Sequence, residues 1–266
     1  LTPTCVAKII TTKGEWIMLL QPLMDKLTQL HLPAFRKGIE EQITNPKYSD
    51  LSFEERLSIL VDLELLQRDS SRLNRYLKKA HFHLDAVLED FDFSPARGVD
   101  KRQILELSQG GWITKKLNVI ISGPTGAGKT YLSCALGHAS CRNDFFVRYF
   151  RTPRFLQDLR LAHADGSYPK LLASLARFDL IIFDDWMRDA LSLAQSQDLL
   201  DILDDRYGRS STMVVTQIPI DAWHERIPDP TLADAILDRL VNNAYRLQLT
   251  GESQRRLRSS TPMSAT

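Results

Sequence analysis

The chain has 266 residues, 43% of them hydrophobic and 25% charged, which is the size and composition of a globular protein with a substantial core. Its 34 Lys and Arg residues nearly balance 33 Asp and Glu residues. This balance excludes an overall basic field, so any binding of nucleic acid must come from local patches or from assembly.

Two features of the sequence bear on its cellular location. No apolar run reaches membrane-spanning length, and the N-terminal segment lacks the pattern of a signal peptide, so we expect a cytoplasmic protein with no membrane partner. The cysteines form no metal-type pair, and Cys134 and Cys141 are expected to be buried on one helix. Residues 1–17 precede the first methionine and are interpreted as an extension or tag without function.

Residues 18–92 show helical spacing of apolar residues and are predicted to form a small N-terminal domain of about three helices. Ser52 and Glu55 in "SFEER" have the spacing of a capping box at the start of the last long helix. That helix is predicted to include His81 and His83, which then point away from each other and offer no metal or catalytic pair.

A change of pattern follows a predicted linker, residues 93–110, which contains Pro95 and Gly98. In residues 111–250, five apolar runs ("LNVIIS", "FFVRYF", "LIIFDD", "TMVVTQ" and "AYRLQL") alternate with helical segments. This pattern predicts an α/β domain with a parallel sheet covered by helices on both faces. Residues 251–266 are predicted to be a flexible basic tail with Arg255, Arg256 and Arg258.

The first strand leads directly into "GPTGAGKT", which has the spacing of a P-loop between a strand and a helix. Glycines let successive amides surround phosphate oxygens, and the helix N-terminus favours negative charge. Lys129 can reach the β- and γ-phosphates of a nucleotide, and Thr130 can ligate magnesium. The residues predicted to bind nucleotide are Gly123, Pro124, Thr125, Gly126, Ala127, Gly128, Lys129, Thr130 and Tyr131.

Two acids end the third strand, in "LIIFDD". Asp184 is predicted to hold magnesium, and Asp185 to orient or activate the attacking water. The shorter side chain of Asp185, where the superfamily usually has Glu, leaves the choice of base open. A strand that simply ends in two solvated acids is the alternative.

Polar residues also end the fourth strand, where Gln217 or Thr216 can sense the γ-phosphate, unless they only make a polar turn. Arg239 lies on an amphipathic helix beside Asp238. It can reach the nucleotide of a neighbouring subunit as an arginine finger, or it can pair with an acid on its own surface.

The segments "SFEERL", "DFSPARGVDK", "GPTGAGKTYLSCALGHAS", "DLIIFDDW", "DLLDILDDRYG" and "WHERIPDPTLADAILDRLVNNAYRLQLTGES" resemble the IstB family, the ATP-binding helpers of bacterial insertion sequences. The resemblance spans residues 18–256. It is shared more distantly with the helicase loader DnaC and the initiator DnaA, which are AAA+ proteins.

The resemblance implies an AAA+ ATPase, using ATP and Mg²⁺, that assembles on double-stranded DNA, remodels the target site and stimulates a partner transposase. It places Lys129 and Thr130 on Walker A, Asp184 and Asp185 on Walker B, Gln217 on sensor 1 and Arg239 on the arginine finger. It also implies that no helical lid follows the last strand. The family pattern has glycine near Met187, so this chain departs from it in the loop after Walker B.

A row of basic residues marks one predicted helix of the N-terminal domain. They can follow DNA phosphates without reading bases, or they can form a solvated face balanced by Glu64 and Asp69. Two arginines after the second strand are weaker candidates of the same kind. The predicted DNA contacts are Arg68, Arg72, Arg75 and Lys79, with Arg151 and Arg154.

Together these residues predict that ATP, bridged between subunits through Arg239, stabilises a homo-oligomer whose many phosphate contacts hold and bend DNA. Two alternatives stay open. The first is a DnaC-like replicative helicase loader, which acts on a protein ring and single-stranded DNA. The second is a nucleotide-gated scaffold with negligible turnover, in which Asp185 has only a structural role.

Overall fold

The computed structural model of the protein describes residues 13–251, with side chains from residue 20 onward. The segment 1–12 of the predicted extension and the tail arginines Arg255, Arg256 and Arg258 lie outside these residues. The chain divides into two compact units, Leu1–Arg72 and Leu73–Thr266.

The first unit is helical, as predicted. Its helices are α1 (Lys13–Gln29), α2 (Pro33–Thr44) and the first part of α3 (Phe53–Ala80). The capping box at the start of α3 is confirmed, because the Ser52 amide donates to Glu55 Oε2 at 2.7 Å and the Glu55 amide donates to Ser52 Oγ at 3.2 Å.

A buried glutamate of α3 caps the N-terminus of α2. Leu32, at the N-cap of α2, provides no side-chain cap, and Glu64 Oε2 instead accepts the amides of Ala34 and Phe35 at 3.0 and 3.1 Å. Its other oxygen accepts Arg68 Nε at 3.0 Å. Burial opposes ionisation of Glu64, but these hydrogen bonds prevail and its pKa lies below the ordinary value.

The second unit contains a five-stranded parallel sheet, which confirms the predicted α/β class. Its strands are β1 (Asn118–Ser122), β2 (Val147–Arg151), β3 (Leu180–Trp186), β4 (Ser211–Thr216) and β5 (Ala244–Gln248). Their order across the sheet is β2-β3-β4-β1-β5. The helices of this unit that follow α3 are α4 (Lys101–Ser108), α5 (Gly111–Thr114), α6 (Lys129–Arg142), α7 (Thr152–Asp165), α8 (Tyr168–Leu175), α9 (Leu193–Arg206) and α10 (Pro230–Val241).

The sheet is buried on both faces because alternate residues of each strand enter different cores. In β1, Val119 and Ile121 pack in one core and Ile120 packs in the other. Cys134 and Cys141 are buried as predicted, and burial raises the pKa of these thiols to about 11 and about 12. They therefore act as small apolar side chains.

The division between the units differs from the predicted domain boundary near residue 92. Leu73 and Tyr76, in the last turns of α3, pack on the core of the second unit. Residues 93–110 were predicted to be a linker, but Ile104 and Leu107 of α4 are buried in the same core. Helical spacing alone cannot show which core a side chain will join.

Candidate functional site

Parallel strands bring their carboxyl ends to one edge of a sheet, and the predicted site residues lie at or just after the carboxyl ends of β1, β3 and β4. A cavity of about 580 Å³ opens at this edge, within the range of small-ligand sites. The predicted residues that line it are Thr125, Gly126, Gly128, Lys129, Thr130, Tyr131, Asp184, Asp185, Thr216, Gln217 and also Arg151. Gly123, Pro124 and Ala127 belong to the same loop, and Arg154 and Arg239 do not line the cavity.

The loop between β1 and α6 depends on its glycines. Gly123, Gly126 and Gly128 have φ values of 146°, 82° and 92°, which favour glycine over residues with a Cβ atom. A Cβ atom at Gly123 would also lie 2.3 Å from the carbonyl oxygen of Leu249. The loop therefore has the backbone that lets consecutive amides surround an anion next to a helix N-terminus.

Two side chains from the start of α6 occupy the base of the cavity. Lys129 is buried and donates from Nζ to the carbonyl oxygen of Pro124 at 2.8 Å. Thr130 Oγ1 donates to Asp184 Oδ2 at 2.8 Å. The hydroxyl and the carboxylate thus lie together at the end of the loop, and this oxygen donor set suits Mg²⁺.

Asp184 is buried, with 4% of its surface exposed, and three donors hold its carboxylate. Besides Thr130, the Tyr149 hydroxyl donates to Oδ2 at 2.6 Å and the Asp185 amide donates to Oδ1 at 2.8 Å. Burial raises the pKa of Tyr149, and the nearby charge of Asp184 raises it further, so the hydroxyl remains protonated.

Asp185 has different neighbours from those of Asp184. Arg151 donates to its Oδ2 at 2.8 Å, and a guanidinium nitrogen of Arg188 lies 3.9 Å from the same oxygen. The hydrogen bond to Asp185 raises the pKa of Arg151. Arg151, predicted to contact DNA, thus pairs with Asp185, and both residues line the cavity.

Two residues near the end of β3 have positive φ angles. Asp185 and Met187 have φ values of 57° and 55°, and the pairing of β3 with β4 is irregular between Phe183 and Trp186. A left-handed backbone favours glycine, and the family resemblance of the sequence implied a glycine near Met187. Met187 adopts this conformation, and its side chain is only 2% exposed. Burial of the apolar side chain therefore offsets part of the cost of the strained backbone.

The end of β4 distinguishes the two predicted sensor candidates. Both residues line the cavity, but Gln217 Oε1 accepts Thr125 Oγ1 of the loop at 2.5 Å. Thr216 is buried, and its hydroxyl donates to the carbonyl oxygen of Trp186 at 3.0 Å. Gln217 is therefore the polar side chain in contact with the loop.

This geometry coincides with a family match over most of the chain. Residues 25–262 match the family described as IstB-like ATP binding protein. The chain belongs to this family. An insertion sequence ATP-binding protein of Sinorhizobium fredii is 45% identical over 90% of this chain and 98% of its own length. One of Pseudomonas fluorescens is 44% identical over 76% of this chain and 88% of its own.

Solved structures agree with the fold of the family member described here. The crystal structure of the DnaC helicase loader has a TM-score of 0.51 and 17% sequence identity, and the match covers 66% of this chain and 99% of that one. At this identity the likeness concerns the fold alone, which is the AAA+ P-loop fold.

Among residues 13–251, no helix is both long and apolar enough to cross a membrane.

Arg239 of this IstB-like chain pairs with acids on its own surface. Its Nε lies 2.5 Å from Asp204 Oδ1, and its NH1 lies 3.5 Å from Asp238 Oδ2. The hydrogen bond to Asp204 raises the pKa of Arg239. About a third of its side chain is exposed, as are half of the two carboxylates, so the guanidinium stays accessible from solvent.

The basic residues of α3 contact nearby groups to different extents. Within the first unit, Arg68 pairs with Glu64 at 3.0 Å, and Arg72 pairs with Asp69 at 3.0 Å, as the solvated-face alternative expected. In the second unit, Arg75 and Lys79 are exposed and lie over the rings of Tyr76 and Phe146. Arg154, on α7, is also exposed.

Several cavity residues were not predicted as site residues. Arg97 is buried, donates to Asp92 and to the carbonyl oxygen of Ala127 in the loop, both at 3.1 Å, and lines the cavity. His83 also lines the cavity, because α3 ends at Ala80 and not beyond His83 as predicted. The only sequence signal for Arg97 was its place in "DFSPARGVDK", which was interpreted as a linker.

Proposed function

We propose that this protein is an ATP-dependent, DNA-binding AAA+ ATPase that oligomerises on duplex DNA, remodels or bends the target site and stimulates a partner transposase. The observation that carries the nucleotide part is the 2.8 Å contact between Thr130 and buried Asp184 at the end of the P-loop. The family supports ATP as the nucleotide, and relatives named as insertion sequence ATP-binding proteins support a role in transposition.

The loop and α6 would bind the phosphates. Backbone amides of residues 125–130 surround them, and Lys129 exchanges the carbonyl oxygen of Pro124 for β- and γ-phosphate oxygens. Thr130 and Asp184 would hold Mg²⁺. When bound, Mg²⁺ neutralises charge on the phosphates.

Hydrolysis requires a group that orients water beside the γ-phosphate, and Asp185 is the candidate. The water oxygen bonds to the γ-phosphorus, the bond to the bridging oxygen breaks so that ADP leaves, and Asp185 accepts the water proton. Gln217 already contacts the loop through Thr125 and can exchange that contact for a γ-phosphate oxygen. In this role it reports whether ATP or ADP is bound.

Arg239 would complete the site of an adjacent subunit. It pairs with Asp204 at a partly exposed surface, where ion pairs are weak, so a phosphate can take the guanidinium from the carboxylate. ATP then bridges two subunits and favours the oligomer. Repetition of Arg68, Arg72, Arg75 and Lys79 along such an oligomer multiplies weak phosphate contacts into firm binding of DNA. Arg154 and Arg151 are secondary candidates for these contacts.

One observation favours a second candidate function, a nucleotide-gated scaffold with little turnover. The proposed base, Asp185, is held by Arg151 at 2.8 Å with Arg188 nearby, and a carboxylate in that state is poorly placed to accept a proton from water. ATP turnover with and without duplex DNA separates the two functions. The ATPase requires turnover that depends on Lys129, whereas the scaffold requires nucleotide binding without it.

The decisive test of assembly is sedimentation and electron microscopy of the protein on duplex DNA with ATP, without nucleotide, and with Lys129→Ala. We expect discrete DNA-bound oligomers only for the wild type with ATP. Lys170→Ala, which changes an exposed lysine on α8, serves as the matched control and should assemble normally. A protein that stays monomeric, or that binds duplex equally well without nucleotide, would contradict the proposal.

A further inference from the structure

Three hydrogen-bond donors restrict the orientation of the Asp184 carboxylate. An ionised carboxylate has about four lone-pair sites. Thr130 and Tyr149 both donate to Oδ2, and the Asp185 amide donates to Oδ1. Three sites are therefore filled, which leaves one on Oδ1.

Tyr149 differs from the other two donors in how it is held. It lies within β2, adjacent to β3, where its pairing partner is Ile182. It is 5% exposed, and the ring of His83 stacks nearly parallel to it, with centroids 6.5 Å apart. Its contact with Asp184, at 2.6 Å, is shorter than those of Thr130 and the Asp185 amide, which are both 2.8 Å.

We infer that Tyr149 is a positioning residue for Mg²⁺: its hydroxyl fixes the rotation of the Asp184 carboxylate and so directs the remaining lone pair of Oδ1 to the metal. Nothing in the P-loop or Walker B patterns includes this residue. The inference rests on the proposed function, because it requires Asp184 to serve a magnesium nucleotide.

The hydroxyl of Tyr149 supplies one of the two hydrogen bonds that hold Oδ2 of Asp184. Without it, Oδ2 would keep one donor from Thr130, and the carboxylate could rotate about its terminal bond. Removal of such an outer partner of a metal ligand typically weakens metal affinity by about 10- to 100-fold.

The test is the variant Tyr149→Phe in the full chain, which deletes the hydroxyl and keeps the ring packed against His83. A fluorescent ATP analogue is titrated at a series of Mg²⁺ concentrations. We expect half-maximal binding to need about 10-fold more Mg²⁺ than in the wild type. ATP turnover should recover towards the wild-type value at saturating Mg²⁺, a result that loss of folding would not give.

Tyr168→Phe is the matched control. Its hydroxyl also lies near a carboxylate, 3.5 Å from Asp201 Oδ2, but it does not line the nucleotide cavity. Its Mg²⁺ dependence should equal that of the wild type. Tyr149→His, which keeps a ring with an N–H donor, is expected to lie between the wild type and Tyr149→Phe, and melting temperatures without nucleotide report on folding.

Two failures are distinguishable. If the wild type needs Mg²⁺ for nucleotide binding and Tyr149→Phe has the same Mg²⁺ dependence, the inference is wrong and the proposed function stands. If the wild type binds the nucleotide analogue equally well in EDTA, both are overturned, because Asp184 then serves no metal.

Discussion

Charged side chains line the cavity and also form the basic face of α3, which consists of Arg68, Arg72, Arg75 and Lys79. The two sets differ in how far they are buried and in how they are hydrogen-bonded. Asp184 is 4% exposed and has three hydrogen-bond donors in fixed positions. The side chains of Arg68 and Arg72 are about half exposed and pair with neighbours on the same helix. A buried group held in a fixed orientation can bind a ligand within a single chain. Exposed cations bind weakly one by one, so many of them must contact the same ligand before binding is firm.

The first prediction tests whether ATP turnover needs a residue from a second subunit in addition to those that line the cavity. We expect Arg239→Ala to lower DNA-stimulated ATP turnover by about 10³-fold, since an arginine finger supplies that much or more, while nucleotide binding persists. Arg177→Ala, which removes an exposed arginine outside the cavity, should have no effect.

A mixing experiment shows whether Arg239 acts between subunits. Lys129→Ala subunits keep the arginine, and Arg239→Ala subunits keep the P-loop, so mixtures should regain part of the turnover that each lacks alone. Unchanged turnover in Arg239→Ala, or no recovery on mixing, would mean that Arg239 only pairs with Asp204 on its own surface.

The second prediction tests whether α3 also holds a buried charge that acts within one chain. Glu64→Ala leaves the amides of Ala34 and Phe35 without their acceptor, and we expect a loss of about 2 kcal/mol, or about 30-fold in the folding equilibrium. Urea denaturation followed by circular dichroism measures it. Glu40→Ala, which breaks an exposed pair with Arg36, should cost only a few tenths of that.

The contribution of Glu64 should depend on pH in one direction. Its pKa in the folded chain is below the ordinary value of 4.5, so its stabilisation is present above pH 4.5 and is lost as pH falls through the folded pKa. The difference in stability between the wild type and Glu64→Gln should therefore shrink from pH 7 towards pH 4. A constant difference over that range would show that ionisation of Glu64 contributes nothing.

The third prediction concerns Arg151, which lines the cavity and was also predicted to contact DNA. Arg151 is half exposed, so its pair with Asp185 is worth no more than about 1 kcal/mol, and Arg151→Met should raise DNA-independent turnover by about fivefold. Arg154→Met, which changes an exposed arginine nearby, should leave that turnover unchanged. A fall in turnover would instead assign Arg151 to catalysis.

The smallest expected effect comes from single cations of α3. Arg75→Gln and Lys79→Gln should each reduce the slope of log K for duplex binding against log salt by about 1, with similar losses for all DNA sequences. Lys170→Gln, which changes an exposed lysine on α8, is the control because it lies on a different helix. Equal slopes for all three variants would remove the basic face as a DNA contact.

Much of the second unit could be predicted from sequence because its strands are buried on both faces and therefore read as unbroken apolar runs. The P-loop and Gln217 follow strand ends directly, and Asp184 lies near the end of β3, so local spacing was enough to predict that they share one edge of the sheet.

The remainder depends on contacts that spacing cannot show. Arg97 reaches the carbonyl oxygen of Ala127 across 30 residues, and Tyr149 reaches Asp184 across 35. Tyr76 has the same helical spacing as its neighbours on α3, but it packs with the second unit. Each of these outcomes is decided by which element packs beside which, and not by the residue's own segment.

Gly123 has a consequence for how this protein tolerates mutation. The atom that excludes a side chain there is the carbonyl oxygen of Leu249, just after β5, and not a phosphate. Selection for a folded chain therefore acts on this position even in a cell that never uses the nucleotide. A mutational scan scored by protein abundance should mark Gly123 as intolerant, whereas Gln217, exposed at the cavity wall, should stand out only when transposition itself is scored.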